Sequence, residues 1–132
     1  MHRLPQSQDS PIDKQFTQAK KLQDAGILFC LSYEGEMEAM GARNLAFTAG
    51  TTVAYGQEYE DAVKSITLNT AKILGVDDKI GSIEKGKEAT FFISNGDALD
   101  MRTNKIEQAY IKGSVIDLNN HQKELFEKYK NR

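Results

Sequence analysis

Tryptophan is absent from this sequence of 132 residues, cysteine occurs once, and proline and histidine occur twice each. The lone thiol, Cys30, excludes an internal disulfide, so packing and hydrogen bonds must hold the fold. It lies in an apolar run and reads as a packed thiol rather than a reactive one. The cytoplasm is the expected compartment. His2 and His121 lie far apart in sequence, with no partner at metal-ligand spacing. A metal centre draws on three or four converging ligands, so no metal set is expected from this chain alone. No apolar run approaches the roughly 20 residues that cross a bilayer. The opening Met1-His2-Arg3-Leu4-Pro5 lacks the apolar stretch of a signal peptide. The formal net charge is −2, and lysines such as Lys79, Lys85 and Lys87 alternate with acids. That pattern gives no footprint for nucleic acid, and neither nucleic acid nor membrane is an expected partner. Internal repeats, a phosphate-cradling glycine loop, a Ser/His/Asp set and zinc-type cysteine spacing are also missing.

What remains is the composition of an ordinary soluble α/β chain, one domain by size. It is too short for a complete eight-stranded α/β barrel, which takes about 250 residues. Ser10-Pro11-Ile12-Asp13 has the form of a helix start, and Ile12, Phe16, Ala19 and Leu22 recur at helical spacing, so 10–25 is expected to be mostly helix. Gly26 follows. Ile27 to Leu31 is a continuous apolar run that reads as a strand covered on both faces. Helix, glycine turn and buried strand form half of a βαβ unit.

The segment Ser32 to Arg43 comes next, where parallel α/β folds place ligand chemistry. It holds Glu34, Glu36, Glu38 and Arg43, with Gly35 and Gly41 as pivots. Asn44 is a candidate N-cap for a small-residue helix ending at Gly56. Glu58, Glu60 and Asp61 then crowd a helix start, where the dipole favours acids. Thr67 reads as the cap of a second short helix, and Gly75 as its left-handed stop. Gly81 and Gly86 turn the chain into a strand over 89–94. Lys105 to Ile111 and Ser114 to Leu118 flank Lys112-Gly113 as a hairpin. Asn119 or Asn120 caps a last helix with Leu125, Phe126 and Tyr129 on its buried side. Val53, Ile66, Leu74, Phe91 and Ile93 are expected in the core.

The run from Ala62 to Ala89 resembles the C-terminal signature of the metal-dependent amidohydrolase superfamily. The family pattern is A-L-x-x-I-T-x-N-x-A-x-x-L-G, a spacer, then G-S-L-x-x-G-K-x-A-D-L. The matches are Ala62, Ile66, Thr67, Asn69, Ala71, Leu74, Gly75, Gly81, Ser82, Gly86, Lys87 and Ala89; Val63, Ile83 and Thr90 depart from it. The likeness is to enzymes of the imidazolonepropionase and Xaa-Pro dipeptidase type, and only to their last third. It implies a C-terminal fragment of a TIM-barrel amidohydrolase. Residues 1–75 would be the last barrel units, and 76–132 the C-terminal strands and helix of a small composite β-domain.

The resemblance also implies hydrolysis of C–N bonds, amide or cyclic amide, by water activated on a zinc-like divalent metal in the complete enzyme. Family enzymes take their ligands from a His-x-His strand, later histidines and an Asp after the last strand. Here Phe29-Cys30-Leu31-Ser32-Tyr33-Glu34-Gly35 stands where the family reads F-A-L-T-S-D-G. The resemblance thus puts Glu34 at the Asp position as a candidate metal ligand or proton acceptor, one methylene longer; its alternative is a solvated loop acid. Arg43 is a candidate bidentate clamp for a substrate carboxylate, or else the partner of a nearby Glu. His2 could reach a barrel mouth or lie in solvent. Three readings stay open: a share in a hydrolase site completed by a separate N-terminal barrel portion, a non-catalytic module that self-associates through unfinished sheet edges, and a small-ligand domain with its own pocket.

Overall fold

The computed structural model describes residues 7–33 and 38–130. Helix α1 spans Gln18–Asp24, a 3-10 helix spans Glu38–Asn44, and α2 spans Leu45–Ala54. Helices α3 (Tyr59–Ile66) and α4 (Leu68–Leu74) follow. Strands β1 (Phe91–Ser94), β2 (Ile106–Ile111) and β3 (Ser114–Val115) form one antiparallel sheet in that order. Helix α5 (His121–Tyr129) ends the described chain. This is an α/β chain.

The signature region folds as its residues demand. Glu60 and Asp61 occupy the first turn of α3, and Gly75 closes α4 at φ 69°. Thr67 sits between the two helices at the cap position of α4, but its hydroxyl donates back to the Val63 carbonyl, so it caps by position only. At Gly81 (φ +97°) a Cβ would come within 2.6 Å of the Ala71 Cβ. That pair of small residues lets the turn after α4 lie against the helix. Ser82 and Lys87 are also mated: the Lys87 ammonium donates to the Ser82 Oγ at 2.6 Å, and Ser82 donates to Glu84 at 2.5 Å. The hairpin turn forms where expected, but its second strand is only Ser114–Val115 rather than 114–118. Lys112 and Gly113 both have positive φ, 51° and 80°, as a two-residue type I′ turn requires. Asn120 caps α5 through its Oδ1, which accepts the Lys123 N–H.

Four expectations need correction. Helix α1 begins only at Gln18, because the residues before it make isolated turns and the Thr17 hydroxyl donates to the carbonyls of Asp13 and Lys14. Such side-chain bonds compete with a helical ladder. Ile27 to Leu31 is not a paired strand: among the described residues it is an extended segment without a sheet partner. The Ile27 N–H donates to the Leu22 carbonyl of α1, the Leu31 N–H donates to the Ser65 carbonyl of α3, and the Asn69 Nδ2 of α4 donates to the Phe29 carbonyl. Ile27 and Leu28 are each 52% exposed, so the run is not covered on both faces. Third, Leu74 and Ile93 are exposed, while Val53, Ile66 and Phe91 are half-buried. Fourth, α5 buries none of its residues, Leu125, Phe126 and Tyr129 included.

The core is correspondingly small. Ala49, Ala62 and Leu99 form its buried centre, with Leu31, Ala46, Val53, Val63 and Ile66 packed around them. Thr52 and Ser65 are fully buried because each hydroxyl returns to its own helix, to the Ala49 and Ala62 carbonyls. Small residues on α2 and α3 allow these two helices to approach closely.

Candidate functional site

Tyr33 is the last described residue before the segment that holds Glu34. The Tyr33 and Thr48 hydroxyls lie 2.8 Å apart, and the Thr48 hydroxyl donates to the Asn44 carbonyl one turn earlier on α2. A hydroxyl has one proton, so Tyr33 donates to Thr48. The Tyr33 ring also lies against Gly41, where a Cβ would come within 2.8 Å of its Cε1. Tyr33 is therefore clamped between α2 and the 3-10 helix. Glu34, covalently next to it, lies outside the described residues, as do Glu36 and His2.

Arg43 is exposed in the last turn of the 3-10 helix, and no described residue forms an ion pair or hydrogen bond with its side chain. Asn44 takes the N-cap position of α2 without a capping side-chain bond. His121 is exposed at the start of α5, beside Glu124. Cys30 is half-buried and free.

A cavity of about 650 Å³ runs along α2. One wall is the half-buried face of that helix, with Phe47, Thr48 and Thr51, and its N-cap residue Asn44; the other is the loop carrying Asp97, Asp100 and Arg102. Thr48 belongs both to the cavity and to the Tyr33 clamp.

Two contacts bring the opposite wall in. At Gly50 a Cβ would fall 2.2 Å from the Leu99 carbonyl oxygen, so only glycine admits this approach. The Tyr59 hydroxyl donates to Asp97 Oδ1 at 2.7 Å, and the Leu99 N–H donates to the same oxygen at 2.8 Å. The Asp97 bond raises the Tyr59 pKa to about 12, with burial and the negative charges of Asp97 and Glu60 acting in the same direction. Asp100 is held below the usual carboxylate range, first by the Arg102 backbone N–H.

The metal that the resemblance implies can be tested against these donors. Among the described residues no group of three or more His, Cys, Asp or Glu converges. Asp97 and Asp100, the carboxylates of the cavity, already accept from Tyr59, Leu99, Arg102 and Thr103. The described residues do not by themselves form a metal set.

Sequence reading had singled out Glu34 and Arg43 and overlooked Tyr33, Thr48, Tyr59 and Asp97. The long-range pairings Tyr33–Thr48 and Tyr59–Asp97 leave no periodic mark on a sequence. Asn69 was visible as a signature residue, but not its duty toward Phe29.

The profile of the Amidohydrolase family matches residues 3–118. The imidazolonepropionase of Fusobacterium nucleatum is 30% identical over 107 residues, covering 76% of this chain and 26% of that protein. The imidazolonepropionase of Flavobacterium psychrophilum is 28% identical over 108 residues, with the same shares. The crystal structure of an amidohydrolase from Thermotoga maritima superposes with a TM-score of 0.69 at 31% identity, over 88% of this chain and 30% of that one. The chain thus spans about a quarter of the length of these curated relatives. A profile match over most of the sequence and a superposition of this quality at this identity lead to one conclusion: the chain belongs to the amidohydrolase family.

Proposed function

We propose that this chain is the C-terminal portion of an imidazolonepropionase-like hydrolase that cleaves C–N bonds, amide or cyclic amide. Residues 1–75 contribute the last units of its TIM barrel, and 76–132 part of its small β-domain. The observation that carries this reading is the likeness across three quarters of the chain to imidazolonepropionases of which it covers only 26%. The clamp on Tyr33 supports a role for Glu34 as proton acceptor, since it fixes the point from which Glu34 departs. Arg43, exposed and without a described partner, suits a bidentate hold on a substrate carboxylate. The partner is a polypeptide carrying the His-x-His strand. A cytoplasmic setting belongs to the same reading, supported by the single cysteine. No helix of the described residues is long and apolar enough to cross a membrane.

The test is reconstitution. The chain is mixed with an N-terminal barrel portion of a relative, supplied with zinc or manganese, and assayed on cyclic amides, N-acyl amino acids and dipeptides. Turnover by the mixture that Glu34→Gln abolishes is the expected result. A complex that forms yet stays inactive, or one indifferent to Glu34→Gln, would refute it.

A second reading has its own support. Ile27, Leu28, Phe92, Ile93, Ile111 and Val115 are all about half exposed or more. Apolar side chains beside open strand edges suit a non-catalytic module that self-associates.

A further inference from the structure

We propose that Asn95 is a site of self-modification: its side-chain amide is lost through a cyclic imide formed with Gly96, and the product loosens the loop at 97–102. Asn95 is the one asparagine of the sequence that precedes a glycine. The reaction joins adjacent residues of this chain and takes nothing from outside but water. The Gly96 nitrogen gives its proton to solvent hydroxide and attacks Asn95 Cγ. The new N–Cγ bond closes an imide ring, and the side-chain nitrogen leaves as ammonia with a proton from water. Water then opens the ring. Cleavage of the N–Cγ bond leaves an aspartyl residue. Cleavage at the main-chain carbonyl leaves an isoaspartyl residue, whose chain runs on through the side-chain carbon. Nothing is oxidised or reduced: water enters and ammonia departs.

The local structure favours the attack. Asn95 and Gly96 are exposed just past the end of β1. Glycine puts no Cβ in the way of the attacking nitrogen. The Gly96 N–H donates to no described residue, so the nucleophile is not committed to a backbone partner. The opposing restraint is one exposed hydrogen bond, from Asn95 Nδ2 to Glu107 Oε1 at 3.2 Å. That oxygen is shared with the Lys105 ammonium, 3.8 Å away. An exposed contact of this length holds the amide weakly.

The consequence follows from what this segment holds. The Asn95 N–H is tied to the Lys105 carbonyl at 2.8 Å. Gly96, at φ +138°, presses on the Thr103 carbonyl oxygen, which a Cβ would meet at 2.2 Å. An isoaspartyl link inserts a methylene between these two anchored points. Just beyond them, Asp97 Oδ1 accepts from the Tyr59 hydroxyl and the Leu99 N–H. The extra length displaces Asp97 from these donors and frees the loop. Either product also sets a carboxylate where Glu107 had an amide to accept from, so a repulsion replaces a bond.

The full chain is aged in mildly alkaline buffer, folded and, in parallel, unfolded in urea, and its peptides are mapped by mass spectrometry. Conversion at Asn95 in the folded chain is expected, with an equal amount of ammonia released. It should quicken as pH rises, because the deprotonated Gly96 nitrogen is the attacker. Asn95→Gln should lose the product, since the longer side chain must close a larger ring. The isoaspartyl form, separated by chromatography, should exchange its Leu99 amide faster than the fresh protein. Conversion of Asn95 in urea but not in the folded chain would overturn the proposal, as the fold would then protect the amide. Conversion that begins at another asparagine, or unchanged Leu99 exchange in the isoaspartyl form, would overturn it as well.

Discussion

Gly81 and Gly86 both carry positive φ, +97° and +98°, but only Gly81 is crowded. At Gly86 nothing lies within 4 Å of a built Cβ. Gly86→Ala should therefore cost only backbone strain, about 1–2 kcal/mol. Gly81→Ala should cost a further 1–3 kcal/mol or so, because Ala71 and the Leu68 backbone must move. Urea unfolding midpoints at unchanged slope measure the difference; equal losses would contradict the contact geometry. Asn69 acts at the same scale. Its amide donates to the Phe29 carbonyl at 3.2 Å, so Asn69→Ala should destabilise by about 1 kcal/mol. It should also speed amide exchange at Leu31, whose N–H rests on Ser65 in the same segment. Unaltered exchange there would remove Asn69 as the support of the extended run.

The loop at 97–102 is joined to α2 by the Gly50 approach and to α3 by the Tyr59–Asp97 hydrogen bond. Gly50→Ala should push the loop away and alter the cavity, seen as faster exchange of the Leu99 amide. The Tyr59 bond has a pH signature. Its pKa is raised from 10.0 to about 12, so between those values the folded state holds a proton that the unfolded state releases. Stability from this bond is full below pH 10 and fades as pH rises toward 12. Tyr59→Phe should flatten that part of the stability profile, and ultraviolet titration should find one tyrosine ionising later than the rest. Tyr59 is 40% exposed, so solvent screening keeps the effect modest.

Among the described residues five apolar residues are buried, alanines in α1, α2, α3 and α4 together with Leu99, and many large apolar side chains are exposed. Water activation by a cation needs several ligands and one open position, and the described residues assemble no such group. The isolated chain, supplied with zinc or manganese, should show no hydrolysis of amides or cyclic amides above the buffer rate. Metal-dependent turnover that Glu34→Gln removes would contradict this and locate a site in the chain itself.

Local order was legible in the sequence because its causes are local. The acids opening α3, the left-handed Gly75, the Lys112-Gly113 turn and the Asn120 cap each act within one turn of backbone. The signature from Ala62 to Ala89 was legible for the same reason, and it carried the family with it. The candidate site was legible only as positions, Glu34 and Arg43. Burial belonged to the tertiary structure. Ile27 to Leu31 has the composition of a covered strand, but composition states what a segment can bury, not whether neighbours are there to bury it. Leu74, Ile93 and the apolar side of α5 miscarried in the same way. The clamp of Tyr33 on Thr48 and the bond from Tyr59 to Asp97, 15 and 38 residues apart in sequence, exist only because folding closes those distances.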